Sequence, residues 1–276
     1  MFNLKEIYPK RDAWAHKGHF GRLLVVGGSN VYSGSPFFNA MSALRAGVDL
    51  VYIFAPERVA NIVATKQPDI LTIPYRGKLL TREQVYYLTQ VINELKISAM
   101  VIGGGLGRQR ETFLAVRKII GLVSIPMCID ADAIRALENH WQLLQNKKVV
   151  LTPHTDEFRQ LTGESLTLEI ISRKEKVIKW AQTLGAVIAL KGNIDIVSDG
   201  QEFYFNRTGS PLMTKGGFGD TLAGICGALL ARGVAPFEAA CASCYINGRA
   251  GELAVKEYGE GVVASDILEM IPKVIG

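Results

Sequence analysis

Short apolar runs rich in β-branched residues alternate with helical patterns along the chain, and this rhythm limits the possible folds more than any other feature. Before residue 185 the runs lie at 22–28, 50–56, 70–75, 99–104, 126–130 and 148–153. They are apolar at consecutive positions, which is typical of strands that are buried on both faces. The sequence therefore predicts an α/β fold with a central, mostly parallel sheet flanked by helices on both faces.

The rhythm changes after residue 185. Three strand-like runs then follow one another with only turns between them, at 186–192, 194–200 and 201–206. Such close succession is typical of antiparallel strands, since parallel ones need a long crossover connection. We therefore expect a late antiparallel edge on the sheet, followed by three helices near 219–231, 236–257 and 265–274.

Two helix starts are marked by their own residues. Ser35 and Pro36 have the pattern of an N-cap followed by a first-turn proline. Thr81 and Gln84 have the spacing of a capping box. No repeat, low-complexity segment or flexible linker interrupts the sequence, and we expect a single domain over residues 1–276.

Charge and cysteine content argue against several classes of partner. The net charge is +5, but the 31 lysines and arginines are spread along the chain, so we expect no nucleic-acid partner. No run has the length of a signal peptide, and the most apolar stretch, 222–231, is too short to cross a bilayer. We expect a cytoplasmic protein with reduced thiols and no membrane partner.

The pair Cys241 and Cys244 has the spacing of a metal or redox motif. A zinc site needs a second pair of ligands at a suitable spacing, and the sequence shows none. The surrounding segment is typical of a helix with small residues on its packing face. We therefore favour buried packing for both thiols over a metal or redox role.

Several predicted strands end in glycine-rich or polar residues. In open parallel sheets, ligands bind beyond the carboxyl ends of the strands. The marked ends lie at 27–30, 103–107, 130–132, 152–154 and 191–192, and their concentration predicts a binding site at that edge. Asp130 and Asp132 supply only two carboxylates, which are too few to indicate a metal site. The sequence therefore leaves any metal ligands undetermined.

The standard phosphate-binding motifs are absent from the sequence. No stretch has the G-x-x-x-x-G-K-[ST] pattern of a P-loop. The dinucleotide pattern G-x-G-x-x-G fails in both glycine clusters, because Leu222 and Arg108 stand where the last glycine is needed. The chain is therefore predicted to be neither a Walker ATPase nor an ordinary Rossmann dehydrogenase.

Residues 214–224, TKGGFGDTLAG, place three glycines and an acid at the start of a predicted helix. The free N–H groups of that first turn would form an anion site, and glycine would let a phosphate approach the backbone. The carboxylate of Asp220 repels a phosphate, yet it suits a general base for a hydroxyl that attacks the phosphate. An ordinary first-turn acid is the alternative.

Lys191 and His154 each allow two interpretations. Lys191 follows a strand and could meet a nucleotide phosphate, or it could be an ordinary solvated lysine. His154 follows Pro153 and could bond a substrate, or it could cap a helix. The residues by themselves favour neither interpretation.

Taken together, the motifs resemble those of a known family. From about residue 15 to 270 the chain contains, in order, HKGHFGRLLVVGGSNVYSGSPFFNAMSALRAGVDLV, GGGLG, DADAI, LTPHTDEF, ALKGNIDIV, NRTGSPLMTKGGFGDTLAG and AACASCYINGRAGELA. This series resembles the ADP-dependent NAD(P)H-hydrate dehydratases. The resemblance implies a ribokinase-like fold, repair of hydrated NADH and NADPH, ADP or ATP as phosphoryl donor, and a homotetramer. Mg²⁺ is expected because nucleotide phosphates usually need one. Larger bifunctional members carry an epimerase domain ahead of this one, which we expect a chain of this length to lack.

The resemblance also assigns residues. Family positions that bind the hydrate fall on Ser35, Gly107, His154 and Asp220, and Asp220 is the catalytic one. Positions that bind the nucleotide fall on Lys191, Gly192, Asn193, Ile194, Asp195 and Gly219, together with Gly217 of the glycine loop.

The chain departs from the family at four of the positions compared. Alanine is usual at Ser35, glycine at Asp156, and small residues at Leu212 and Lys215. The family's contact at Ser35 is therefore expected to be steric or through the backbone. Lys215 could add a positive charge beside the phosphate.

The implied reaction begins as a phosphoryl transfer. Asp220 takes the proton of the hydrate's ring hydroxyl as that hydroxyl attacks the terminal phosphate of ADP, and the amides of the glycine loop hold the developing charge. Phosphate then leaves and the dihydronicotinamide is restored. Two alternatives remain open: a small-molecule kinase of the same fold, and a nucleotide-binding regulator without catalysis.

Overall fold

The computed structural model describes residues 2–276, and within them nine strands form one sheet. The strands are β1 Arg22–Val26, β2 Leu50–Pro56, β3 Leu71–Tyr75, β4 Ala99–Ile102, β5 Met127–Ile129, β6 Val149–Leu151, β7 Val187–Leu190, β8 Asp195–Ser198 and β9 Phe203–Asn206. Their order across the sheet is β3-β2-β1-β4-β5-β6-β7-β8-β9. Strands β1 to β7 are parallel, whereas β8 and β9 run antiparallel at one edge. The predicted sheet and its late antiparallel edge are confirmed.

Twelve helices connect and cover these strands in the described part of the chain. They are α1 Leu4–Ile7, α2 Gly34–Arg45, α3 Glu57–Lys66, α4 Glu83–Glu94, α5 Arg110–Leu122, α6 Ala131–Ala136, α7 Thr155–Thr162, α8 Ile170–Leu184, α9 Phe218–Ala231, α10 Pro236–Tyr258, α11 Ala264–Leu268 and α12 Ile271–Ile275. Short 3₁₀ helices lie at Trp141–Leu144, Pro211–Met213 and Gly259–Gly261. Between residues 2 and 276, no helix combines the length and the apolar character needed to cross a membrane.

Neighbouring residues of a strand enter different hydrophobic cores. In β1, Leu23 and Val25 pack in the core beneath α2, α9 and α10. Leu24 and Val26 pack in the core beneath α4, α5 and α8. All four side chains are buried, which explains why the strands are apolar at consecutive positions.

Some details of the helices differ from the prediction. The single helix expected at 265–274 is wrong: α11 and α12 are separate, because Pro272 in the first turn of α12 has no N–H to continue the hydrogen-bond ladder of α11. Ser35 is not the N-cap of α2, since Ser33 holds that position. At Thr81 only half of the capping box forms: its N–H and hydroxyl both donate to Gln84 Oε1 at 2.8 Å.

All four cysteines are free and buried. Cys241 and Cys244 lie on α10, in the same core as Cys128 and Cys226. The predicted packing role of the Cys241–Cys244 pair is confirmed.

Helices α2 and α9 approach each other closely because α9 has a glycine at the contact. A Cβ atom on Gly224 would lie 2.1 Å from Ser42 Oγ and 2.2 Å from the carbonyl oxygen of Asn39. We therefore expect Gly224→Ala to lower the free energy of unfolding by about 1–3 kcal/mol, since the two helices must move apart. Chemical denaturation followed by circular dichroism measures the change.

Gly121→Ala in α5 is the matched control. A Cβ there would meet Leu143 Cδ2 at an ordinary 3.6 Å, and alanine favours a helix over glycine. This variant should be as stable as the parent or more so. Equal stability of the two alanine variants would contradict the steric explanation for Gly224.

Candidate active site

The site lies where the strand order changes direction. β1 is flanked by β2 on one side and by β4 on the other, so the connections that leave β1 and β4 diverge and open a crevice at their carboxyl ends. The N–H of Gly28, after β1, donates to the carbonyl oxygen of Gly104, after β4, at 2.8 Å. Two of the marked strand ends are therefore in direct contact.

The glycine loop leads into α9 as an anion site requires. α9 begins at Phe218, one residue before the predicted start, and Gly217 precedes it with φ +100°. A Cβ on Gly217 would lie 2.6 Å from Ala264 Cβ, so both conformation and space require glycine. The first helical bond runs from the N–H of Thr221 to Gly217, and the N–H groups of residues 218–220 therefore lack helical acceptors.

Asp220 lies in the first turn of α9, against α2 and the loop after β4. Asn39 Nδ2 donates to the backbone oxygen of Asp220 at 2.6 Å. The carboxyl oxygen Oδ1 of Asp220 is 2.9 Å from the position that a Cβ on Gly104 would take. The Ser35 side chain lies next to the carboxylate and lowers its pKa. The Ser35 hydroxyl thus acts on Asp220 directly, which the usual alanine cannot do.

Burial gives Asp220 an unusual acidity. Loss of hydration and the nearby charges of Asp130 and Glu157 raise the pKa of Asp220 from 3.8 to about 7, although the Ser35 hydroxyl and the Lys191 charge lower it. Such a carboxyl changes protonation state near neutral pH, which suits a general base. An ordinary first-turn acid would be exposed and would keep a low pKa.

Lys191 lies beside the same helix start, within an ion-pair network. Its Nζ is 2.9 Å from Asp130 Oδ1 and 3.8 Å from Glu157 Oε2. Burial works against its charge, but the two carboxylates outweigh burial and raise the pKa of Lys191 to about 12. Nζ also lies 3.4 Å from the position of a Cβ on Gly219. The solvated interpretation is therefore wrong, and the phosphate contact stays a prediction.

The two acids considered for a metal have different partners. Asp130 accepts the Thr152 hydroxyl at 2.8 Å and pairs with Lys191. Asp132 accepts the N–H of Gly107 at 2.9 Å and pairs with Arg108. In the described residues 2–276, no three His, Cys, Asp or Glu side chains group as a metal site. The backbone at Gly107 is thereby fixed against Asp132 in the first turn of α6.

His154 caps a helix. Its Nδ1 accepts the N–H groups of Asp156 and Glu157 at 3.1 and 3.3 Å, and its own N–H donates to Glu157 Oε2 at 2.9 Å. Nε2 lies 3.2 Å from Glu157 Oε1. The capping interpretation is confirmed, whereas a bond from His154 to a substrate stays a prediction.

The segment assigned to the nucleotide forms the turn between β7 and β8. The N–H of Gly192 donates to Asp195 Oδ1 at 3.0 Å, and Asn206 Nδ2 donates to Asp195 Oδ2 at 2.9 Å. Asn193 is exposed at the tip and Ile194 is half-buried. Burial raises the pKa of Asp195, and its hydrogen bonds oppose the shift. Asp195 therefore shapes the turn and links it to β9.

The Lys215 ammonium binds backbone carbonyl groups, and a contribution of its charge beside the phosphate stays a prediction. Its Nζ donates to the carbonyl oxygen of Val262 at 2.8 Å and to that of Glu260. The ammonium thus ties the glycine loop to the 3₁₀ turn at Gly259–Gly261.

Residues that the sequence did not identify hold the start of α9. Besides Asn39, Asn247 on α10 donates to the carbonyl oxygen of Phe218 at 3.3 Å and accepts the Thr221 hydroxyl at 2.8 Å. Glu157 was also overlooked as the second partner of Lys191. The two asparagines are buried polar residues within apolar helices, and that was the available signal.

The match to a known family covers almost the whole sheet and its helices. The family model described as NAD(P)H-hydrate dehydratase matches residues 23–273. The chain belongs to the NAD(P)H-hydrate dehydratase family.

Relatives and solved structures agree with this membership. An ADP-dependent (S)-NAD(P)H-hydrate dehydratase of Cenarchaeum symbiosum is 37% identical over 273 residues, covering 99% of this chain and 94% of the relative. A bifunctional NAD(P)H-hydrate repair enzyme of Pyrobaculum aerophilum is 43% identical over 267 residues, 96% of this chain. The chain spans only 52% of the length of that relative.

Structure comparison shows the same fold. The ADP/ATP-dependent NAD(P)H-hydrate dehydratase of Bacillus subtilis, co-crystallised with ATP and Mg²⁺, has a TM-score of 0.80 and 27% identity, with 99% of this chain and 96% of that one covered. A ribokinase-like superfamily protein of Enterococcus faecalis has a TM-score of 0.83, with 99% and 92% covered; its 23% identity shows the fold alone. The predicted ribokinase-like architecture is confirmed.

Proposed function

We propose that this member of the family dehydrates the S-form of NADH or NADPH hydrate in an ADP-dependent reaction. The products are NADH or NADPH, AMP and phosphate. One observation carries the proposal: the buried carboxyl of Asp220 stands in the same turn as the free N–H groups that begin α9. A base and an anion site are thus adjacent, as a hydroxyl attacking a phosphate requires.

The groups that surround the crevice have distinct roles in this reaction. The ring hydroxyl of the hydrate approaches Asp220 between α2 and the loop after β4, where Gly104 leaves room for the carboxyl. The first-turn amides of α9 stabilise the negative charge on the transferred phosphoryl group. Asp220 accepts the hydroxyl proton, and the bond from the ring to phosphate then breaks while the adjacent ring carbon loses a proton, which restores the ring double bond. Phosphate is a far better leaving group than hydroxide.

The remaining family positions surround these two groups. Ser35 orients the carboxylate of Asp220, whereas Gly107 and His154 line the hydrate side of the crevice. On the nucleotide side, Lys191 stands beside Gly219 and begins the turn Gly192, Asn193, Ile194 and Asp195. Gly217 sets the direction in which α9 begins.

ADP or ATP is the proposed donor, and Mg²⁺ its companion. The Bacillus subtilis relative was crystallised with ATP and Mg²⁺, and Mg²⁺ usually binds through nucleotide phosphates with one or two carboxylates. Asp130 and Glu157, the buried acids near the anion site, are engaged with Lys191. We therefore propose that Mg²⁺ enters on the nucleotide phosphates.

Incubation with hydrated NADH and ADP tests the function. We expect the near-ultraviolet absorbance of the dihydronicotinamide to return, with AMP and free phosphate formed in equal amounts. A stable phosphorylated product would instead indicate a small-molecule kinase. Tight ADP binding without turnover would indicate a regulator. Repeating the assay with ATP and with hydrated NADPH establishes which donor and cofactor are preferred.

The rate should depend on pH through Asp220. Because protonated Asp220 accepts no proton and its pKa is about 7, kcat/KM for the hydrate should rise about tenfold per pH unit below neutrality and level off above it. Initial rates at saturating ADP, measured from about pH 5 to about pH 9, give the midpoint.

Ser35→Ala is the control for that profile. It removes the hydroxyl that lowers the pKa of Asp220, while the charges of Asp130, Glu157 and Lys191 continue to act on the carboxyl. The midpoint should therefore move to higher pH. A parent profile that is flat across neutrality would contradict the assignment of Asp220 as the base.

Three further expectations remain proposals. The continuous nine-stranded sheet supports a single domain, and the four free, buried thiols fit a cytoplasmic location. The homotetramer rests on the family resemblance, and sedimentation analysis would measure the assembly.

A further inference from the structure

We propose that Arg173 is an additional nucleotide ligand, which binds a phosphate of ADP through its guanidinium. This inference rests on the proposed function, because it places ADP along the turn between β7 and β8. Arg173 lies in the first turns of α8, and its Nη2 is 3.3 Å from the position of a Cβ on Gly192. Its guanidinium therefore lies against the turn that begins with Lys191.

The charge of Arg173 is only weakly compensated within the protein. Its two hydrogen bonds are long, 3.3 Å to the carbonyl oxygen of Thr167 and 3.5 Å to the hydroxyl of Thr155. None of the ion pairs formed between residues 2 and 276 includes it. The side chain is half-buried, and loss of hydration lowers the pKa of its guanidinium. A partly desolvated cation of this kind is suited to an anionic partner.

Arg232 shows how an arginine is held in place without an ion pair in this protein, although its Nε has no hydrogen-bond partner. It donates to the carbonyl oxygens of Gly47 and Ile7 at 2.8 and 3.0 Å. Its guanidinium also lies over the rings of Tyr8 and Phe20. These contacts give Arg232 a structural role, whereas Arg173 keeps most of its five donors available.

The carboxyl groups around Lys191 favour a second cation at the anion site. Three carboxyl groups, those of Asp130, Glu157 and Asp220, act on the single ammonium of Lys191. Lys191 is therefore already neutralised before a nucleotide arrives, and the anion site needs further positive charge to bind a diphosphate. Arg173 supplies it, and its planar fork matches phosphate oxygens better than an ammonium does.

The path of the nucleotide follows from these contacts. Lys191 Nζ lies beside Gly219 at the start of α9, and the next residue, Gly192, lies against Arg173. A phosphate chain that begins beside Asp220 can therefore continue past Lys191 to Arg173. Glycine at 192 keeps that approach clear, because a side chain there would meet the guanidinium.

Equilibrium binding of ADP by calorimetry tests the proposal. Arg173→Met should raise the Kd for ADP by about ten- to a hundredfold, the loss expected for hydrogen bonds to a charged group. Arg173→Lys should lie between Met and the parent, since it keeps the charge and loses the fork. Lys174→Met is the matched control: the same helix loses one charge, but that ammonium lies over Phe203.

Adenosine, which has no phosphate, separates a phosphate contact from a change in the shape of the pocket. The Kd for adenosine, calculated from its competition with ADP by using the Kd of ADP for each protein, should be equal in the parent and in Arg173→Met. An unchanged Kd for ADP in Arg173→Met, or an equal loss for adenosine, would overturn the proposal. If the parent binds ADP in an Arg173-dependent way but fails to dehydrate the hydrate, the proposed function fails and this inference stands.

Discussion

Asp220→Asn should lower the turnover of hydrated NADH by about 10²–10⁴ because the general base is removed. The first-turn amides of α9 and the ion-pair network around Lys191 stay in place, so ADP should still bind. Single-turnover formation of AMP, followed by chromatography, measures the phosphoryl-transfer step directly. Dehydration at the parent rate would exclude Asp220 as the base.

The stability of that variant provides its control. In the folded protein the pKa of Asp220 is raised from 3.8 to about 7, so the folded state binds more protons than the unfolded state between these values. Stability therefore falls as pH rises through that window. Asparagine does not ionise, and Asp220→Asn should unfold at the same or a higher temperature than the parent above neutral pH. If Asp220→Asn unfolds at a lower temperature than the parent above neutral pH, its activity is lost because the fold is damaged and not because the base is missing.

Lys191→Met should be the most destabilising single change at the site. It leaves Asp130 and Glu157, both almost fully buried, without the cation that lies 2.9 and 3.8 Å from them. Removing one partner of a buried ion pair typically lowers the free energy of unfolding by about 3–5 kcal/mol. Urea denaturation at neutral pH measures the loss, and ADP binding should be lost as well.

Two variants distinguish the ion-pair network from general sensitivity to mutation. Lys191→Met combined with Asp130→Asn removes one of the unpaired charges, so stability should partly return while ADP binding does not. Lys179→Met breaks an exposed pair with Glu164 and should change stability by less than about 1 kcal/mol. If Lys191→Met and Lys179→Met are equally stable, the buried network does not support the fold.

These predictions rest on pairings that connect distant parts of the sequence. Asn39 and Asp220 are separated by 181 residues, and Asp130 and Lys191 by 61. The sequence identified Asp220 and Lys191 as candidates because both follow marked structural boundaries. It missed Asn39 and Asn247, since an amide within an apolar helix gives no indication of which backbone oxygen it will meet.

The alternation of apolar runs and helical patterns determined the layered sheet, its parallel strands and its antiparallel edge. The glycines before Asp220 likewise determined where α9 begins, to within one residue. These features depend on side-chain periodicity and backbone preference over a few neighbouring residues, so the sequence alone contains them. The break between α11 and α12 was missed, although Pro272 marked it.

Only the tertiary structure decided the chemistry of the site. Lys191 is an ordinary lysine until folding brings Asp130 and Glu157 to it, and Lys215 is a free charge until the carbonyl oxygen of Val262 accepts from it. The raised pKa of Asp220 has the same origin. Burial and the distance between charges set electrostatic energies, and both exist only once remote segments pack together.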